Sequence, residues 1–203
     1  MDIKTIKGIY ESNTYIAEQD NVCILIEAGA PLKSLGNIKP AAIFLTHEHF
    51  DHVFHIAKYA EAFECPIYCH PATLEELKTG AFNNTFSAMT GFHVEAPKFT
   101  KFKTLAANQI ITIGPFEIKA VFAPGHSAGS VVYLINNNLF TGDVLFRNSI
   151  GRTDFMPNGP ELMQQSLRLL QNLKFETSYH GHGSPCSFTA QQRNILAFLE
   201  TDK

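Results

Sequence analysis

The chain has 203 residues, a formal net charge of −3 and a pI near 6.3. Lysine and arginine do not cluster, which argues against a nucleic-acid partner or a charged membrane surface, and no apolar run approaches the roughly 18 residues of a membrane-spanning helix. We expect one domain over residues 1–203 that acts on a small molecule. The N-terminal stretch lacks the apolar segment of a secretory signal, which favours a cytoplasmic location, and the sequence does not indicate an oligomeric state.

Two groups of short segments have the composition and the turn boundaries of strands. Several are apolar at nearly every position, which is typical of strands that are covered on both faces. The predicted strands are residues 13–18, 21–27 and 41–46 in the first group and residues 109–113, 116–123, 130–135 and 138–142 in the second.

Helical periodicity follows each group of strands. Residues 52–63 carry apolar side chains along one stripe, residues 160–174 begin with a proline that a first helical turn accepts, and a last helix is predicted over 189–200. Strands followed by helices, twice over, predict two sheets between two layers of helices. Residues 79–100 have no regular pattern, and we expect a surface excursion or short helices there.

The stretch THEHFDH, residues 46–52, joins a predicted strand to a predicted helix and holds His47, His49, Asp51 and His52. Imidazole nitrogen and carboxylate oxygen are the usual ligands of zinc and similar metals. An extended backbone directs His47 and His49 to the same side, and the residues at the turn face a different one. A surface or capping role explains a single histidine better than it explains this group. The pattern therefore predicts a site for two adjacent metal ions.

Further candidates occur after later apolar runs: His126 in PGHSAGS, Asp143 in TGD, and His180 and His182 in YHGHG. Each is a weak signal by itself, because an aspartate after glycine is usually a turn residue and a lone histidine is usually solvated. Together with the first group they provide enough ligands for two coordination spheres.

The ordered motifs HxHxDH, PGHSAGS, TGD and GHG resemble those of the metallo-β-lactamase-fold hydrolases, over about residues 13–185. Residues 141–155, TGDVLFRNSIGRTDF, resemble the glyoxalase II-like (hydroxyacylglutathione hydrolase-like) branch, whose members hydrolyse S-acyl glutathione thioesters. The resemblance implies an α/β fold, α+β by some schemes, built as a four-layer αββα sandwich with a dinuclear site at one edge.

The resemblance also implies a role for each candidate ligand. It implies two divalent ions, with zinc expected first and iron or manganese as alternatives. His182 matches the family's GHG motif, and His180 takes a place commonly held by proline. Asp51 is expected to act in catalysis as well, by orienting a metal-bridging hydroxide and accepting a proton. The implied ligands are His47, His49 and His126 for the first metal, Asp51, His52 and His182 for the second, and Asp143 as the bridge.

These roles predict a hydrolase that cleaves a thioester such as S-lactoylglutathione by attack of the bridging hydroxide. Alternatives with the same fold are a mononuclear iron persulfide dioxygenase, in which Asp51, His52 and His182 would not all bind metal, and a lactonase. A degenerate fold that serves as a binding module would lack ligands, and none of the implied ligands is missing.

Several positions depart from the family pattern. Phe54 and His55 stand where relatives tend to carry two glycines, and Glu27 stands where relatives usually have aspartate. Only 21 residues follow His182, which leaves no room for the glutathione-holding helical domain of larger glyoxalase II enzymes. We also expect His55 near the ligands, and His70 and His93 in the pocket wall or on the surface. Arg152 and Asp154 are expected to form a buried ion pair, and Phe82, Phe86 and Phe92 to pack locally or line the acyl pocket.

Overall fold

A computed structural model describes residues 1–79, 90–91 and 93–200. Phe82, Phe86 and Phe92 lie outside these ranges, and the expectation for them stays a prediction. The strands are β1 Asp2–Lys7, β2 Asn13–Gln19, β3 Val22–Ile26, β4 Ile43–Phe44, β5 Ile67–Cys69, β6 Phe102–Thr104, β7 Ile110–Ile113, β8 Phe116–Phe122, β9 Val131–Ile135, β10 Asn138–Phe140, β11 Thr177–Tyr179 and β12 Cys186–Ser187. The α-helices are α1 Phe50–Val53, α2 Ile56–Ala62, α3 Pro71–Thr79, α4 Gly159–Leu170 and α5 Phe188–Glu200, and short 3-10 helices span Ile9–Glu11, Leu32–Leu35 and Phe99–Lys101.

The strands form two six-stranded sheets. The first has the order β1-β2-β3-β4-β5-β6, and the second has the order β12-β11-β10-β9-β8-β7. In the first sheet β3, β4, β5 and β6 run parallel, and β1 and β2 are antiparallel additions at one edge. In the second sheet β10 and β11 are parallel neighbours within an otherwise antiparallel arrangement.

Three apolar layers hold these elements together. Side chains that alternate along a strand point to opposite faces, so a strand covered on both sides contributes to two layers. In β3, Ile24 and Ile26 pack between the sheets, while Leu25 packs against the helices. The first layer joins the first sheet to α1, α2 and α3, the second joins the two sheets, and the third joins the second sheet to α4 and α5. The predicted αββα sandwich is confirmed.

The strongly apolar strands agree with the sequence prediction to within a few residues at each end. β1, β5, β6, β11 and β12 were not predicted, because they are short or, like β1, have mostly exposed side chains. The helix α3 was also not predicted, although Pro71 begins it and Leu74 and Leu77 are buried one turn apart.

The single helix predicted over residues 52–63 is wrong in two respects. It begins earlier, at Phe50, and a break at Phe54 and His55 divides it into α1 and α2. At the break, the backbone N–H of His55 donates to the carbonyl oxygen of Ala28 at 2.9 Å, so a partner outside the helix replaces the helical one. Among the residues described, no helix combines the length and the apolar character that crossing a bilayer requires.

The layer between the sheets makes a quantitative prediction. Phe116 is fully buried there, so Phe116→Ala should lower the free energy of unfolding by about 3–5 kcal/mol through lost burial and a residual cavity. Ile110, in the neighbouring strand β7, is 59% exposed, so Ile110→Ala should change that free energy by less than about 0.5 kcal/mol. Urea unfolding measures both, and equal effects would contradict the layer assignment.

Candidate metal centre

The predicted ligands lie on connections that follow strands of both sheets. His47 and His49 follow β4, and His126, Asp143 and His182 come after β8, β10 and β11. Since β10 and β11 are parallel, their carboxyl ends meet at one edge, and Gly181 N–H donates to the Gly142 carbonyl oxygen at 2.7 Å. Asp51 and His52 lie in α1, whose first turn directly continues the histidine segment. The structure therefore brings all the predicted ligand positions to one edge of the sandwich.

The first cluster consists of His47, His49 and His126, whose candidate ligand atoms lie within 4.8 Å of one another. His49 Nδ1 and His126 Nε2 are 2.9 Å apart. The rings of His47 and His49 have centroids 4.5 Å apart, as expected for alternate residues of an extended segment.

The second cluster consists of Asp51, His52 and His182, again with ligand atoms within 4.8 Å. Asp51 Oδ2 lies 3.1 Å from His182 Nε2 and 3.4 Å from His52 Nε2. Asp143 lies between the clusters: its Oδ2 is 3.5 Å from His182 Nε2 and 3.7 Å from His126 Nε2. One carboxylate oxygen is thus close to a histidine of each cluster.

The donor set fits cations. Two pairs of imidazole nitrogens face each other, His49 with His126 at 2.9 Å and His52 with His182 at 3.4 Å. In the described part of the chain, the buried atoms His47 Nε2 and Asp143 Oδ1 have no hydrogen-bond partner. Buried polar atoms without partners are costly, and a cation satisfies converging lone pairs that no side-chain donor satisfies. These residues can therefore hold metal ions, whereas the number and the identity of the ions stay predictions.

The first cluster has the protonation that ligands need. Burial, assisted by the neighbouring His52, holds the pKa of His47 well below its usual range. Burial, assisted by the neighbouring His126, likewise holds the pKa of His49 well below its usual range. Burial also lowers the pKa of His126. The imidazoles are neutral at pH 7 as a result, and their lone pairs are available to a metal.

The second cluster is more strongly charged. Burial acts to lower the pKa of His52, but Asp51 and Asp143, followed by Glu27, raise it to about 10. Burial acts to raise the pKa of Asp51, yet His52 and His182 lower it to about 2. In the metal-free protein, His52 is therefore protonated at neutral pH, and its positive charge lies among the carboxylates.

Hydrogen bonds on the far side of two rings set their tautomers. The Thr46 hydroxyl donates to Glu27, so it accepts from His47 Nδ1 at 2.9 Å, and His47 Nε2 keeps its lone pair towards the cluster. His126 Nδ1 donates to the carbonyl oxygen of Arg152 at 2.9 Å, which directs its Nε2 towards the same place. Such outer partners orient a ligating histidine and increase its basicity.

Glu27 belongs to the site, although the sequence analysis gave it no role. It is buried at the end of β3 and forms a third cluster with His47 and His52, and its Oε1 lies 3.6 Å from His52 Nδ1. The sequence signal for Glu27 as a site residue is its position directly after an apolar strand, where the predicted ligands also lie. Its φ of 74° is unusual for a residue other than glycine and directs the chain out of the strand at that point.

His180 has a structural position beneath the second cluster. It is fully buried, its Nδ1 lies 3.1 Å from the Thr141 hydroxyl, and its Nε2 lies 3.6 Å from Cys186 Sγ. The next residue must be small, because a Cβ at Gly181 would overlap Asp143 Oδ1. His182 follows with its side chain about one-third exposed and its Nε2 near Asp51, and its choice over His180 as a ligand stays a prediction.

The other candidates belong to none of the ligand clusters found among the described residues. His70 is half-buried with its ring 4.2 Å from that of Phe122, and His93 is exposed. His55 is the N-cap of α2 and its ring contacts that of Phe54, and a role near the ligands stays a prediction. The predicted Arg152–Asp154 ion pair is present with two hydrogen bonds, but the prediction that it is buried is wrong, because both side chains are more than 60% exposed.

The sequence profile of the metallo-beta-lactamase superfamily matches residues 8–182. The chain belongs to this superfamily. It is 30% identical over 196 residues to "Probable metallo-hydrolase YqgX" of Bacillus subtilis (strain 168), with 91% of each chain covered. "Probable metallo-hydrolase M6_Spy0554" of Streptococcus pyogenes serotype M6 is 31% identical over 220 residues, with 97% of this chain and 89% of the relative covered.

Solved structures of the superfamily show the same fold. The BLEG-1 B3 metallo-beta-lactamase superposes with a TM-score of 0.86 at 30% identity, covering 98% of this chain and 99% of that one. TTHA1623, solved in a di-iron-bound form, superposes with a TM-score of 0.79 at 28% identity, covering 96% and 98%.

The raised pKa of His52 makes metal binding depend on pH. A metal and a proton compete for His52 Nε2, so zinc binding to the metal-free protein should release a proton at pH 7, and affinity should rise as the pH approaches about 10. Calorimetric titration in buffers of different ionisation enthalpy measures this release. His52→Asn should lower the release by about one proton per chain, and the exposed control His93→Asn should leave it unchanged. An affinity independent of pH would contradict the prediction.

Proposed function

We propose that this protein is a dinuclear metal-dependent hydrolase that cleaves a thioester, with S-lactoylglutathione as the reference substrate. The observation that carries the proposal is the position of Asp143, whose Oδ2 lies 3.5 Å from a histidine of one cluster and 3.7 Å from a histidine of the other. A carboxylate between two ligand clusters is the arrangement that a bridged pair of metal ions requires.

Two bound divalent ions would lower the pKa of a bound water to about 7, and their positive charge would stabilise a developing oxyanion. The chain's own residues prepare the rest of the site. The neutral imidazoles of His47, His49 and His126 hold one position, and Asp51, His52 and His182 hold the other. Burial of these side chains keeps bulk water away from all but one side of the cluster.

Asp51 has the properties of the catalytic carboxylate. Its lowered pKa, about 2, keeps it ionised at neutral pH. It lines an open cavity of about 460 Å³, together with His49, His126, Asp143 and His182. From there it can orient a water molecule and accept its proton. Of the described residues that line the cavity, none is a serine or a cysteine, which supports attack by water without a covalent intermediate.

The choice of a thioester rests on residues 141–155, which resemble the glyoxalase II-like branch. This stretch contains Asp143 and provides three further residues of the cavity wall, Phe146, Arg152 and Phe155. The resembling segment thus supplies part of the cavity wall beside the proposed reaction site. The expectations of a small-molecule substrate without a nucleic-acid or membrane partner, and of a cytoplasmic location, stay predictions.

A second candidate function is β-lactam hydrolysis. The observation that favours it is the similarity to the BLEG-1 B3 metallo-beta-lactamase along nearly the whole chain. The same site suits both reactions, since each consists of water attack on an activated carbonyl carbon.

Metal content and turnover test the ligand assignment. Elemental analysis of the purified protein should give two equivalents of metal per chain. One equivalent would instead favour the mononuclear iron persulfide dioxygenase. His49→Ala and Asp143→Ala should each lower kcat/KM by about a thousandfold, because several kcal/mol of charge stabilisation is lost. His70→Ala, half-buried and outside the clusters, is the matched control and should retain most activity. Equal activity in all three variants would refute the assignment.

A substrate panel tests the reaction class. S-lactoylglutathione, a chromogenic cephalosporin, an aliphatic lactone and glutathione persulfide with oxygen should be compared on protein loaded separately with zinc, iron and manganese. We expect thioester cleavage to have the highest kcat/KM. A preference for the cephalosporin would establish the second candidate, and oxygen consumption with the persulfide would replace hydrolysis by oxygenation.

A further inference from the structure

The cavity above the metal clusters has walls of a different chemistry from its floor. Ligand side chains form the floor, and the remaining described lining residues are Tyr10, Phe50, Phe146, Arg152 and Phe155. Four of these five are aromatic. Pockets with apolar walls and a few polar groups at the base recognise the apolar part of a ligand and fix its reactive part.

The aromatic residues surround the floor on several sides. Phe155 lies with its ring centroid 5.5 Å from that of His49 and 5.6 Å from that of His126, next to the first cluster. Phe146 lies 6.2 Å from His182, next to the second cluster. A substrate carbonyl placed on the floor would therefore have an aromatic side chain next to each cluster.

Tyr10 and Phe50 form the remaining part of the wall. Their rings meet edge to face with centroids 5.3 Å apart, and Phe50 precedes Asp51 in α1. Tyr10 is 60% exposed and has a left-handed backbone conformation, with φ 52° and ψ 29°. This conformation is uncommon for a bulky residue. A large exposed ring held in this way at a cavity mouth is suited to contact with a ligand.

The one basic side chain among the described wall residues, Arg152, is already paired with a carboxylate. Arg152 donates to both carboxylate oxygens of Asp154, at 3.0 and 2.6 Å, and its guanidinium lies 4.4 Å from the centroid of the Phe155 ring. Asp154 takes the Nε and one Nη donor of Arg152. The described wall residues therefore offer no unpaired cation that would select a charged acyl group.

We propose that these aromatic side chains select substrates whose acyl group is apolar and uncharged, with an aryl acyl group preferred to a small polar one such as lactoyl. Tyr10 is the specificity-determining residue at the mouth, where its ring covers the outer face of the acyl group. This inference rests on the proposed hydrolysis of thioesters for the reaction, but the selection itself can be measured by binding alone.

Hydroxamates provide the binding probe, because they chelate metal ions and differ only in the acyl substituent. We expect benzohydroxamate to bind the zinc-loaded protein at least about tenfold more tightly than acetohydroxamate, as burial of a phenyl ring against apolar walls requires. Tyr10→Ala should reduce this preference at least about threefold, and Tyr10→Phe should retain it. The exposed and distant control Ile110→Ala should leave it unchanged.

Calorimetry of both hydroxamates, with zinc content measured for every variant, decides the proposal. Equal affinity of the two hydroxamates, or a preference that is the same in the wild-type protein and Tyr10→Ala, would overturn it. In kinetics, S-benzoyl-N-acetylcysteamine should exceed S-acetyl-N-acetylcysteamine in kcat/KM, with the difference chiefly in KM. A hydroxamate preference without cleavage of any thioester would support the aromatic selection and reject the proposed reaction, so the two failures are distinguishable.

Discussion

The convergence of buried imidazole nitrogens and carboxylate oxygens at one edge of the sandwich is the constraint on which the rest of the structure depends. The nitrogen atoms of His49 and His126 lie 2.9 Å apart, and the carboxylates of Asp51 and Asp143 each lie 3.4 Å from His52 Nε2. Such groups repel each other unless protons or cations lie between them. In the metal-free protein, the raised pKa of His52 supplies one such proton. The fold must therefore hold the donors together against their own repulsion.

Contacts between the two sheets provide this restraint. Tyr133 in the second sheet donates to the carbonyl oxygen of Leu45, two residues before His47, at 2.7 Å. From the first sheet, Asn13 Nδ2 and the Tyr15 hydroxyl donate to the carbonyl oxygen of His180, at 2.9 and 2.5 Å. Each bond fixes the backbone of one sheet's ligand-bearing loop against the other sheet. The clusters are thereby held by main-chain positions as well as by side-chain packing.

Metal chemistry and substrate choice are determined by different parts of the site. The ligand clusters account for membership in a superfamily of metallo-hydrolases, but a shared fold does not define a substrate. In the selection that we propose, the cavity wall carries that information, because its aromatic rings contact the acyl group of the substrate.

The sequence by itself determined the layered architecture and the identities of the candidate ligands. Runs such as VCILI predict a strand covered on both faces, because every residue is apolar. The four ligand-type residues in THEHFDH predict a metal site, because surface or capping roles do not explain so many of them together. Tertiary structure alone decided three matters. Glu27 joined the site because the end of β3 lies beside His47, the Arg152–Asp154 pair proved exposed, and Tyr10 came to the cavity mouth beside Phe50. Periodicity reports whether a side chain is buried locally, whereas proximity between distant segments arises only when the sheets pack against each other.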